Sequence, residues 1–155
     1  MARAVRVGKL TLAALAATLR LYRDPEKALH RIPLLVLLGT SVENLKNRAE
    51  RLAPQIEATG AAQSAEPVAG VTYLGGGSIP TQQLATWCVA IRPAGRSVDQ
   101  LAAALRCGKP PVVGRVQEDR LLLDLRSVLP RQDQDLVAAL AALDQDGSEQ
   151  GSNEK

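Results

Sequence analysis

Residues 71–91 read V-T-Y-L-G-G-G-S-I-P-T-Q-Q-L-A-T-W-C-V-A-I. The runs 71–74 and 86–91 are rich in β-branched and aromatic side chains, which predicts two core strands. Between them, Gly75, Gly76 and Gly77 permit positive φ angles and leave no Cβ in the way of a close neighbour. Contiguous glycines without a following Lys-Ser/Thr exclude a phosphate-binding P-loop. The loop is therefore either approached closely by another group or an irregular surface loop.

The composition indicates one soluble domain. The chain has 155 residues, a net charge of +3 and no apolar run long enough to cross a membrane. A secretory signal is not expected, and two cysteines provide neither a disulfide framework nor a metal-site spacing, which favours a reducing cytoplasm. The small net charge and the scarcity of aromatic residues argue against direct RNA recognition by this piece.

Two helices are predicted near the amino terminus. Leucines recur at helical spacing over residues 8–23. Asp24 is a suitable N-cap and Pro25 a suitable first residue for a second helix that runs to about His30. His30 is the only histidine, and it has no ligand partner at a suitable spacing, so we expect a surface or hydrogen-bonded residue.

The next part of the chain connects these helices to the strands. Residues 32–38 are apolar, and we expect a buried connector that packs on another domain or subunit. Thr40 as N-cap, with Glu43 completing a capping box, predicts a third helix. The small and polar residues 57–67 are typical of a linker.

A helix and a hairpin are predicted after the central strands. Ser97 and Gln100 form the pattern of a capping box, and Gly108 ends that helix. The runs 112–116 and 120–126 are predicted strands, and the short polar turn between them favours a hairpin.

The order of elements predicts a small α+β domain, in which one mostly antiparallel sheet is covered by helices on one face. We expect a helical segment over residues 1–60 and the α+β domain over residues 66–143, with a last helix at 134–143. Residues 144–155 lack apolar side chains and are predicted to be disordered. The amino-terminal helices carry more apolar surface than the sheet needs, which indicates a partner domain.

The residues themselves offer no catalytic constellation. Arg3 and Arg6 are three apart, so on a helix they would form an anion clamp, or else they belong to a solvated terminus. Cys88 and Cys107 are expected to be inert core residues. Three polar residues have no catalytic partner nearby in sequence: Ser78, Asp119 and Asp124.

The chain as a whole resembles the carboxy-terminal part of bacterial selenocysteine synthase, L-seryl-tRNA(Sec) selenium transferase. The resemblance extends over about residues 3 to 143, and its combination of segments is specific although each segment alone is not. The matching segments are R-A-V-R-V-G-K-L-T-L-A-A-L at 3–15, Ile32-Pro33, Arg48-Ala49, G-G-G-S-I-P at 75–80, L-R-C-G-K-P-P-V-V-G-R at 105–115 and L-L-D-L-R at 122–126.

This resemblance implies the small carboxy-terminal domain of a fold-type I enzyme that depends on pyridoxal 5'-phosphate. In such an enzyme the serine of seryl-tRNA(Sec) is dehydrated on the cofactor, and selenium from selenophosphate then adds. It also implies a cytoplasmic homo-oligomer. A small domain of another fold-type I enzyme, such as a sulfur amino-acid lyase, and a non-catalytic α+β interaction module remain as alternatives.

The resemblance also implies roles for particular residues. Arg3 and Arg6 correspond to the R-A-x-R arginines that are thought to bind the anionic selenium donor in the family. Arg115 is a second candidate for binding a substrate anion, and the loop Gly75–Ser78 would border the cleft between domains. The family's cofactor lysine belongs to a D-K-x-x-G-G-P-like segment upstream of R-A-x-R, and no lysine here has that context. We therefore expect a fragment that is inactive without a large cofactor-binding domain.

Overall fold

The computed structural model describes residues 6–73 and 83–150, except for the side chains of 144–150. It divides between Gly39 and Thr40 into two compact units. The sequence placed this division near residue 60. It lies earlier because the helix that follows Thr40 packs on the sheet, as described below.

The first unit contains three helices: α1 (Lys9–Leu21), α2 (Pro25–Arg31) and α3 (Pro33–Gly39). Asp24 caps α2 by accepting a hydrogen bond from the amide of Lys27 at 3.2 Å, and Pro25 is the first helical residue, which confirms that prediction. The apolar run at 32–38 is mostly helical, and no residue of α3 is buried in the described structure. The expectation that this run is a connector buried against another domain or subunit stays a prediction.

The second unit begins with α4 (Val42–Glu57). Its N-cap is Ser41, whose side chain accepts from the amide of Asn44 at 3.2 Å. The prediction of Thr40 as N-cap is thus wrong by one residue. Since Asn44 is the third helical residue, Glu43 is one position too early to complete a capping box.

Four antiparallel strands form one sheet in the order β1-β2-β4-β3. They are β1 (Ala62–Tyr73), β2 (Gln83–Pro93), β3 (Arg115–Gln117) and β4 (Arg120–Asp124). The predicted linker over 57–67 is wrong, because β1 already begins at Ala62 and pairs there with Pro93 of β2. The predicted glycine loop lies outside the described residues.

The predicted helix and hairpin are confirmed, although the first strand of the hairpin begins at Arg115 and not at Val112, and the second ends at Asp124. Helix α5 (Val98–Cys107) begins with a Ser97–Gln100 capping box and ends at Gly108. Strands β3 and β4 are joined by Glu118 and Asp119, both with positive φ, as a two-residue hairpin turn requires.

The last helix, α6 (Asp133–Gln150), is longer than the sequence indicated. It continues past Asp144, the predicted start of the disordered tail, while residues 151–155 lie outside the described part of the chain. No helix within the described residues is long and apolar enough to span a membrane.

The two faces of the sheet differ in what covers them. One face packs against α4, α5 and α6 and contains the main core, with Val89, Ile91, Leu121 and Leu123 contributed by the strands. The opposite face, which we call the open face, carries a small apolar cluster of Cys88, Ala90 and Leu122, with Val68 packed against it. This arrangement confirms the predicted α+β class with helices on one face.

Candidate functional site

Two arginines lie on the open face of the β3–β4 hairpin. Arg115 pairs with Leu122 and Gln117 pairs with Arg120 across the hairpin. Side chains alternate between faces along a strand, so Arg115, Gln117 and Arg120 share the face of Leu122. Arg115 and Arg120 are diagonal neighbours, a relationship that places Cβ atoms roughly 7 Å apart and within reach of long side chains.

A groove of about 340 Å³ lies at these arginines. Tyr73, with 57% of its surface exposed, borders it from β1, opposite the hairpin. The groove therefore combines charged and polar groups on its walls with part of the open-face apolar cluster. Its lining residues are Val68, Ala69, Gly70, Val71, Tyr73, Cys88, Arg115, Gln117, Arg120 and Leu122.

Gly114 fixes the position of Arg115. A Cβ at Gly114 would lie 2.7 Å from Cδ1 of Leu121 and 3.1 Å from the carbonyl oxygen of Leu122. Only glycine lets the backbone before β3 approach β4 this closely. The G-R pair of the P-P-V-V-G-R segment is therefore a structural unit, in which glycine sets the backbone and arginine faces the groove.

Two acidic groups near the groove, Glu118 and Asp124, have partners. Glu118 forms an ion pair with Arg120 at 3.1 Å and is largely exposed. Asp124 accepts hydrogen bonds from the hydroxyl of Thr86 at 2.6 Å and from the amide of Arg126 at 3.0 Å. Within the described part of the chain, Arg115 makes no ion pair, so its charge is uncompensated there.

The pKa of the Cys88 thiol reflects the burial and the charges at the floor of the groove. This pKa is raised to about 11, mainly by burial and also by the nearby negative charge of Asp124, whereas Arg115 acts in the opposite direction. Arg115 is thus close enough to act electrostatically on the floor of the groove. A thiol with this pKa is protonated at neutral pH, which agrees with the expectation that Cys88 is an inert core residue. Cys107 is exposed, so the same expectation is wrong for it, because it ends α5 on the solvent side.

The sequence did not reveal that two other arginines are structural. Arg48 is buried and binds Asp133 and the carbonyl oxygens of Leu125 and Val128. The helical spacing of Leu45, Arg48 and Leu52 is a signal that could have placed Arg48 on the core face of α4.

Arg126 is the second structural arginine. It donates to the carbonyl oxygen of Ala85 at 2.6 and 3.0 Å and to that of Thr40 at 3.0 Å. The carboxylate of Asp124 is likewise held in the fold, because it accepts hydrogen bonds from Thr86 and from the amide of Arg126. Arg48 and Arg126 both belong to segments that carry the family resemblance, and packing explains their presence.

The remaining predicted site residues are placed only in part. Arg6 is exposed and precedes α1 in non-helical backbone, so it does not lie on a helix as the clamp hypothesis assumed. Arg3 and the loop Gly75–Ser78 lie outside the described residues. Arg6 and Arg115 belong to different compact units.

The described lysines do not fit a pyridoxal 5'-phosphate site. An internal Schiff base requires a lysine that is desolvated or activated by its surroundings. Lys27 is exposed and paired with Asp24 at 2.7 Å, and Lys46 pairs with Glu50 at 3.8 Å. Lys9 and Lys109 are exposed. Nor do the described residues contain a cluster of His, Cys, Asp and Glu that could hold a metal ion.

Comparison with known proteins identifies the family. The model of the family described as L-seryl-tRNA selenium transferase matches residues 1–129. The L-seryl-tRNA(Sec) selenium transferase of Moorella thermoacetica is 41% identical over 141 residues, covering 90% of this chain and 30% of the relative. The same enzyme of Hyphomonas neptunium is 42% identical over 129 residues, covering 83% and 28%.

A third relative gives the same result. The L-seryl-tRNA(Sec) selenium transferase of Geobacter sulfurreducens is 41% identical over 143 residues, covering 91% of this chain and 30% of the relative. The chain thus spans about 30% of the length of the curated relatives it matches. It belongs to the L-seryl-tRNA selenium transferase family.

Proposed function

We propose that this chain is part of a transferase that converts seryl-tRNA(Sec) to selenocysteinyl-tRNA(Sec), with selenophosphate as the selenium donor. The family match over residues 1–129 carries the proposal. The chain spans about 30% of the length of its relatives, and we propose that it acts as part of a larger polypeptide and is inactive alone. Neither a sulfur amino-acid lyase nor an interaction module is named among the relatives described above.

The cofactor, pyridoxal 5'-phosphate, would be held by that remaining part. It supplies the electron sink for removing the serine hydroxyl, and this chain contributes binding and positioning. The described lysines are exposed or ion-paired, which supports a Schiff-base lysine elsewhere in the polypeptide.

The first unit would join the α+β unit to the large domain. Helix α1 buries no residue, and Leu10, Leu12, Leu15 and Leu19 are exposed along it. Exposed apolar side chains in such number mark a surface that another protein segment covers. We take the rest of the polypeptide as its occupant, in a cytoplasmic homo-oligomer.

Arg3 and Arg6 would bind the selenophosphate anion, because guanidinium groups suit tetrahedral oxyanions. The test uses a full-length enzyme that contains this segment, with seryl-tRNA(Sec) and selenophosphate as substrates. Changing both arginines to alanine should abolish selenium transfer and leave cofactor absorbance unchanged. Arg20 and Arg23 provide a matched control, since they are exposed and have the same spacing.

The two double variants separate the outcomes. Loss of transfer in the Arg3/Arg6 variant, with activity retained in the Arg20/Arg23 variant, supports the clamp. Retained transfer in the first variant would exclude it. A full-length enzyme that binds the cofactor but transfers no selenium in its unmodified form would refute the proposed activity itself.

A further inference from the structure

The groove on the open face concentrates hydrogen-bond donors. The guanidinium groups of Arg115 and Arg120 lie on one face at diagonal positions, and Gln117 lies between them along the hairpin. Tyr73 borders the groove from β1. The two arginines and Gln117 together offer two positive charges and one neutral donor to one space.

This arrangement is unfavourable without a counter-ion. Like charges at neighbouring positions of a sheet repel each other. Glu118 compensates Arg120 in part, but within the described part of the chain Arg115 has no ion pair. Asp124, whose charge acts on Cys88 at the floor, already accepts hydrogen bonds from Thr86 and Arg126. An anion is therefore the group that would satisfy this site.

The floor strengthens such an interaction. Leu122 and Val68 are apolar, and Cys88 is protonated at neutral pH, so none of these three side chains carries a negative charge towards an anion. A low local dielectric increases the attraction between ions. The volume of about 340 Å³ lies at the lower end of ligand sites, which run from roughly 300 to 1,000 Å³. The site thus suits a small group.

We propose that the groove binds a phosphate group through Arg115 and Arg120, with Gln117 as an additional donor. The paired forks of two arginines match the several oxygens of a tetrahedral oxyanion. The phosphate belongs either to a small free anion or to the backbone of an RNA strand. The proposal rests on the proposed function, and it gives a defined site to Arg115, which the family resemblance made a second candidate for binding a substrate anion.

The test is a titration of the 155-residue chain, followed by the side-chain Nε–H signals of ¹⁵N-labelled arginine. One arm uses inorganic phosphate and the other a short single-stranded RNA without terminal phosphate. The signals of Arg115 and Arg120 should shift in at least one arm. Arg115→Gln should weaken binding about tenfold or more, the usual loss for a charge-assisted hydrogen bond.

Three further variants make the test specific. Arg120→Gln should also weaken binding. Arg106→Gln is the matched control, because Arg106 is an exposed arginine of α5 outside the groove, and it should bind like the unmodified chain. Glu118→Gln should tighten binding about twofold, since it frees Arg120 from a surface ion pair. Thermal unfolding of each variant verifies that the fold is retained.

The outcomes distinguish the sources of the phosphate. Shifts with inorganic phosphate alone identify a small anion, and shifts with RNA alone identify a strand backbone; each supports the site. Absence of shifts in both arms, or an equal loss in Arg106→Gln, overturns it. If the chain binds phosphate but the full-length enzyme transfers no selenium, the proposed activity is refuted and the phosphate site is retained. If the enzyme transfers selenium but the chain binds no phosphate, the phosphate site is refuted and the proposed activity is retained.

Discussion

Arg48 and Asp133 form a two-bond ion pair inside the second unit. Nη2 of Arg48 lies 2.6 Å from Oδ1 of Asp133, and Nε lies 3.2 Å from Oδ2. The two side chains are only 6% and 3% exposed. Through this pair, α4 is bonded to the first residue of α6, and the remaining donors of Arg48 bind two carbonyl oxygens of the segment between β4 and α6.

Asp133→Asn should destabilise the chain strongly. The change leaves the Arg48 guanidinium buried without its counter-ion, and breaking a buried pair in this way costs about 3–5 kcal/mol. Urea unfolding followed by circular dichroism measures the loss. Arg51→Gln is the control: Arg51 also binds Asp133, at 2.6 Å, but is 58% exposed, so its loss should cost about 1 kcal/mol or less. Equal effects of the two changes would show that burial does not control this pair.

Gly114→Ala should destabilise the β3–β4 hairpin. The added Cβ would overlap Leu121 at 2.7 Å, and overpacking of this kind costs about 1–3 kcal/mol. Gly39→Ala is the matched control, because no atom lies within 4 Å of a Cβ placed there. Thermal unfolding of both variants provides the comparison. A Gly114→Ala chain as stable as the Gly39→Ala chain would mean that the hairpin shifts at no cost.

The two cysteines should differ in reactivity. At pH 8 a thiol reagent should modify Cys107, which is exposed, and leave Cys88 unmodified until the chain unfolds. Burial raises the pKa of Cys88 from the ordinary 9.0 to about 11, so the folded state holds this proton more tightly than the unfolded state. The stability that this provides is complete below pH 9 and is lost as the pH rises towards 11.

Urea unfolding between pH 8 and 10.5 checks the second part of this prediction. The unmodified chain should lose stability with pH more steeply than Cys88→Ala, whereas Cys107→Ser should follow the unmodified chain. Parallel curves for the unmodified chain and Cys88→Ala would contradict the raised pKa.

Elements defined by local signals could be predicted from the sequence. The capping box of α5 involves residues three apart, and the β3–β4 turn lies between two apolar runs, so neighbouring residues suffice to determine both. The early part of β1 could not be predicted, since Ala62 and Ala65 have no strong strand preference. They are buried in the main core with residues of β2 and α4, far away in the sequence.

The candidate site shows the same limit. Arg115 was a candidate through the family resemblance, whereas Arg120 and Gln117 were not. The position of the turn contains the missing information: a two-residue turn at Glu118–Asp119 pairs Gln117 with Arg120 and thereby places Arg120 diagonal to Arg115. The Arg48–Asp133 pair, in contrast, joins residues 85 positions apart, and no local pattern specifies it.

The hydrogen bonds from Arg126 to Ala85 have a consequence for self-association. The pairing of β2 with β4 ends at Cys88, so β2 extends beyond its partner strand, and Ala85 lies in that extension. An unpaired strand edge can recruit a strand from another molecule and start aggregation. By occupying the carbonyl oxygen of Ala85, the Arg126 guanidinium removes an acceptor that an incoming strand would need. The Arg126 side chain thus covers part of this edge of β2, at a point where β4 does not pair with it.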